Sequence, residues 1–64
     1  MKVKIKSFNG ELPEYLTLGK EYKVVTPMNY LGLAQIYTDD GFLCDIQLLR
    51  KSNRLNGGYW ELIE

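Results

Sequence analysis

The chain has 64 residues, in which eight Lys plus Arg balance eight Asp plus Glu, with one cysteine and no histidine. Zero formal net charge gives no overall field to draw the molecule to nucleic acid or to an acidic membrane, and a chain this short builds one small core. One cysteine excludes an internal disulfide, and without histidine no ligand set for a structural metal is expected, nor any cofactor.

With 45% hydrophobic and 25% charged residues, the composition is that of a folded globule, expected as a single domain over residues 1–64. The opening "MKVKIKSFNG" lacks the continuous apolar block of a signal peptide or membrane span. A cytoplasmic setting with no membrane partner is the expectation, and Met1 suggests a complete small gene product.

Lys2-Val3-Lys4-Ile5-Lys6 alternates with period two, which predicts a strand with Val3 and Ile5 on one face and the lysines on the other. Three lysines on a solvent face suit an edge strand. Phe8-Asn9-Gly10 breaks the pattern, and Pro13 makes the following stretch an irregular loop with a few apolar anchors. Leu18-Gly19-Lys20 reads as a turn into a second strand over Glu21 to Thr26, in which Tyr22 and Val24 share a face and which Pro27 ends.

A connection over Met28 to Gly32 leads to a third strand, Leu33 to Thr38. Asp39-Asp40-Gly41 then carries the Asp-Gly pair of a tight hairpin. Beyond it Phe42, Cys44, Ile46 and Leu48 alternate with Leu43, Asp45, Gln47 and Leu49, a fourth strand with an apolar face. Polar turns at 50–53 and 55–58 precede a short fifth strand from Tyr59 to Ile63. No window shows apolar residues at i, i+3, i+4 and i+7, so helix is limited to a single turn near Leu12 to Leu16 or near Ser52 to Leu55. The fold class expected is all-β, a small five-stranded antiparallel barrel or sandwich.

The order of Leu18-Gly19-Lys20-Glu21-Tyr22-Lys23-Val24, then Asp39-Asp40-Gly41, then a closing turn and short strand resembles SH3-like barrels. From residue 16 to 64 the pattern "LxxGKxYxV", "DDxG" and "LNGGxWELI" also resembles short bacteriophage and prophage proteins. Those motifs are turn and core residues. The long loop holds only Glu11 and Glu14 as acids and no paired tryptophan follows the central strands, so proline-motif binding is not carried over from the SH3 resemblance.

The absence of histidine removes the commonest general base, so no catalytic residue is assigned. Asp39 and Asp40 read as turn residues, Cys44 as a buried hydrophobe, and Gly57-Gly58 as a turn without the lysine and helix of a phosphate loop. Tyr22 and Trp60 are assigned to the core, whereas Tyr15, Tyr30 and Tyr59 lie in or beside loops and are expected at the surface.

These features predict a non-catalytic interaction module, phage- or prophage-derived by the resemblance, binding an unidentified protein through Tyr15, Tyr30 and Tyr59 and an exposed strand edge. Edge strands equally admit a homodimer. The alternative is a nucleic-acid-binding barrel in which Lys2, Lys4, Lys6, Arg50, Lys51 and Arg54 form a stripe, with Tyr59 or Tyr37 for stacking. The third is a small fold with no separable activity.

Overall fold

The computed structural model describes residues 1–63; Glu64, the last position of the expected domain, lies outside them. Within the described residues the strands are β1 (Lys2–Ser7), β2 (Tyr22–Thr26), β3 (Leu33–Tyr37), β4 (Leu43–Gln47) and β5 (Tyr59–Ile63), with a 3-10 turn at Asn53–Leu55. They form an antiparallel sheet in the order β4-β3-β2-β1-β5. The helical turn falls at the second of its two expected places. At the first, Leu16 N–H donates to the Pro13 carbonyl (3.1 Å) in a simple turn.

Alternation in β1 is as the lysines predict: Val3 and Ile5 are buried, and Lys2 and Lys6 exposed. Its position corrects the expectation of an edge strand, because β1 pairs with β2 on one side and with β5 on the other. Gly58 makes that second pairing sterically feasible. A Cβ at this residue would stand 2.1 Å from the Ser7 carbonyl oxygen, so only glycine lets the last strand come in beside the first.

The end strands are β4 and β5, and they do not pair, so the sheet is not closed into a barrel. Residues 48–58 stand between them in sequence and fold back on themselves at their centre: Ser52 N–H donates to Gly58 O (2.7 Å), and Gly57 N–H to Ser52 O (2.9 Å). The chain therefore reaches β5 without adding β5 to β4. In the middle of the sheet β2 changes neighbours, meeting β1 at Tyr22 and Lys23 and β3 at Val24 and Thr26, with a register shift between the last two.

One cluster of buried side chains joins both halves: Val3, Ile5, Tyr22 and Trp60 from the β1 side, Ala34, Ile36, Cys44 and Ile46 from the β4 side, with Leu16 and Leu55 from the connections. Val3, Ile36, Ile46 and Leu55 are almost wholly enclosed, and each such side chain contributes about 1.5–3 kcal/mol. Tyr22 and Trp60 meet edge to face at 6.0 Å, and the Trp60 indole N–H donates to the buried Ser52 hydroxyl (3.3 Å). Both aromatics are core residues, as is Cys44, whose thiol burial pushes up from its ordinary value.

Candidate functional site

The three loop tyrosines have different surroundings. Tyr30 is 91% exposed and Tyr59 43%, whereas Tyr15 is half-buried against the core. The Tyr15 phenol accepts a hydrogen bond from Arg54 Nη1 (3.2 Å), and its carbonyl accepts the Asp39 amide (3.0 Å), which together draw it inward. Tyr15 is thus a wall residue rather than a free loop side chain.

Tyr30 sits on the β2–β3 connection, which is braced from both sides. Asn29 Oδ1 accepts the amides of Leu31 (2.9 Å) and Leu33 (3.1 Å), while Asn29 N–H donates to Leu33 O and Gly32 N–H to Asn29 O. From the end of β4, Gln47 Nε2 donates to Leu31 O (3.0 Å), Leu48 N–H donates to Gly32 O (2.8 Å), and Gln47 Oε1 accepts Leu49 N–H (2.8 Å). All these bonds hold backbone or polar groups, and Tyr30, Leu31 and Leu49 are left pointing to solvent. Asn29 is the residue that sequence reasoning missed here; an Asx turn just after Pro27-Met28 was the available signal.

Beside this tip lies a cleft of about 420 Å³, lined by Tyr15, Leu33, Asp45, Gln47 and the Ser52–Arg54 turn. Arg54 Nε donates to the Asp45 carbonyl of β4 (2.7 Å), a strand that lacks a second neighbour. Among the described residues the ion pairs are Lys2–Glu21 and Lys20–Asp39, so the half-buried Arg54 has no carboxylate partner.

The remaining basic residues are spread out. Lys2 pairs with Glu21 (3.5 Å), and Lys4 stands opposite Glu61 on β5, so acids are interleaved with the lysine face of β1. Lys6, Arg50 and Lys51 are exposed. It is the following turn, at Asn56, that meets the chain just past β1, where Asn56 Nδ2 donates to the carbonyls of Asn9 and Glu11. Arg54 is committed to Asp45 and Tyr15, so its guanidinium is not part of the β1 face.

Asp39 does more than cap a turn. Its Oδ1 accepts from Lys20 Nζ and from the Tyr22 hydroxyl (3.0 Å), and its Oδ2 from Thr17 Oγ1 (2.6 Å); Tyr22 OH in turn accepts the Thr17 amide (2.7 Å). The Lys20 and Thr17 hydrogen bonds hold the Asp39 carboxyl below its usual range, Asp39 raises Lys20, and burial raises the Tyr22 phenol. Every acceptor oxygen is used, so the cluster fastens the long β1–β2 loop to the β3–β4 hairpin. Asp40, adjacent in sequence, has no such partners, which residue type alone does not foretell. No group of three or more potential metal-ligating side chains occurs among the described residues, and no helix of theirs is long and apolar enough to cross a membrane.

Comparisons with protein-family models, with curated proteins and with solved structures give no match to this chain.

Proposed function

We propose that this chain is a non-catalytic interaction module that docks a protein partner through the Tyr30–Leu31 tip and the adjoining Leu49. The observation that carries the proposal is the pairing of a 91% exposed tyrosine with a loop braced by Asn29 and Gln47. A loop whose backbone is already held in shape loses less entropy when it docks, and tyrosine brings a large contact area on few rotatable bonds. Tyr59 stands on β5 opposite Ser7 of β1, and Tyr15 contributes as a wall of the neighbouring cleft.

Under the same proposal the fold is SH3-like and of phage or prophage derivation. Supporting the first are the long connection between β1 and β2 and the strand order, and supporting the second is the motif resemblance over residues 16 to 64.

The test is capture of a partner from native-host lysate by tagged wild type, by Tyr30→Ala/Leu31→Ser, and by Tyr59→Ala. The tip variant should lose the partner while keeping the wild-type denaturation midpoint, and Tyr59→Ala should retain it. Binding that survives the tip variant, weakens steeply with salt and disappears when Lys2, Lys4 and Lys6 are neutralised would instead establish the nucleic-acid reading.

A further inference from the structure

Among the described residues Arg54 makes no ion pair and bonds only to uncharged acceptors. A guanidinium carries five N–H donors. Here Nε is taken by the Asp45 carbonyl and one Nη1 proton by the Tyr15 phenol, both uncharged acceptors. The neighbouring Asp45 carboxylate is engaged elsewhere, accepting from Gln35 Nε2 (2.9 Å), and makes no ion pair with Arg54. Its remaining donors form a planar fork that a carboxylate matches in geometry and charge.

The geometry points to an acidic side chain, Asp or Glu, of an extended partner segment as the occupant of this cleft, lying along β4 with its carboxylate on Arg54. Three features favour that occupant. β4 has no strand on its outer side, and to either side of the Asp45 carbonyl that Arg54 takes, that edge is a place where an extended segment can add. Gln47 lines the cleft and also holds Leu31 and Leu49, so cleft and tip form one continuous surface. Asp45 contributes a carboxylate to the lining, which repels a doubly charged phosphate more than a singly charged carboxylate. The inference rests on reading the chain as a protein-docking module and adds the chemistry of what is docked.

The experiment is a nitrogen-15 NMR titration of the full chain with a short blocked alanine peptide bearing one central glutamate, with its glutamine counterpart, and with inorganic phosphate. Wild type should show saturable shifts of the Arg54 Nε–H and the Tyr15 and Asp45 amides with the glutamate peptide. The glutamine peptide should leave them unmoved, and Arg54→Gln should weaken the response about tenfold or more. Arg54→Lys, which keeps the charge without the fork, should fall between. No shift with the glutamate peptide, equal shifts with the glutamine peptide, shifts confined to Lys2–Lys6, or a phosphate response as large as the peptide's would each overturn the assignment. Tyr30→Ala should retain the glutamate response. A retained response with tip-independent partner capture therefore sinks the tip assignment alone, and a lost response with tip-dependent capture sinks the cleft assignment alone.

Discussion

Two ends of this small sheet are equally rich in hydrogen bonds and use them for opposite purposes. At the Asp39 end, side chains bond to one another: Thr17, Lys20 and Tyr22 converge on one carboxylate, and Tyr22 is buried beneath them against Trp60. At the Asn29 end, side chains bond to backbone: Asn29 and Gln47 shape the loop, and the apolar side chains it carries remain outside. The first pattern uses its polar side chains on one another and makes stability, with Leu18 and Phe42 exposed beside them. The second uses polar groups as scaffolding and keeps Tyr30, Leu31 and Leu49 free for contact, which is why the tip and not the acidic cluster is the functional candidate.

The largest effect should come from removing what the Asp39 end rests on. Trp60→Ala empties the core beside Tyr22 and takes away the donor to Ser52. A loss of about 3–5 kcal/mol is expected by urea or thermal denaturation. A near-native Trp60→Ala variant would show that the indole is not structural.

Next in size is the backbone of the tip. Gly32 has φ of +86°, and a Cβ there would stand 2.3 Å from Gln47 Oε1 and 2.9 Å from Leu49 Cγ. Gly32→Ala combines a left-handed strain of about 1–2 kcal/mol with displacement of the very side chain that braces the loop. Reduced stability together with weakened partner capture is expected; full capture would mean that the tip need not be held in shape.

The acid limb sharpens the contrast further. Because Asp39 titrates below its ordinary value in the folded chain, its contribution is complete above the unfolded carboxyl's range and is lost as pH falls through the lower folded value. Denaturation followed from neutral pH down into the region below about pH 4 should show wild type losing stability more steeply than Asp39→Asn. Parallel curves would dissociate the cluster from acid stability. Lys20 runs the other way, its contribution persisting up to its ordinary value and disappearing as pH rises through the raised one.

Tyr30→Ala should have the smallest effect on folding, within about 0.5 kcal/mol, and the largest on capture. A substantial loss of stability would mean that the side chain packs in solution and that the two ends are less different than their hydrogen bonds indicate.

Much of this was readable in the chain. Period-two alternation placed Val3 and Ile5, Cys44 and Ile46, and Trp60 correctly on the buried face, and the Asp-Gly and Asn-Gly-Gly pairs marked their turns. The same alternation put Phe42 on the apolar face of the fourth strand, whereas Phe42 lies before β4 and is 72% exposed, because alternation fixes which residues share a face only within the paired strand. Lysine content misplaced β1 at an edge, since exposure of one face says nothing about whether a strand has neighbours in the plane. Tyr15 and Tyr30 looked alike as loop tyrosines, and they separate only because Arg54, 39 residues further along, reaches the phenol of one of them.

Residue order by itself determined that the chain is all-β, which residues alternate inward, and that histidine chemistry is absent. Tertiary structure alone decided that β5 lies against β1 and leaves the sheet open, that Asp39 and not Asp40 gathers the polar groups, and that Arg54 makes no ion pair among the described residues while lining a cleft. The division follows from range. Strand periodicity and turn dihedrals are set by neighbours in sequence, whereas strand order, a shared carboxylate and the partners of Arg54 depend on groups that only the fold brings within hydrogen-bond distance.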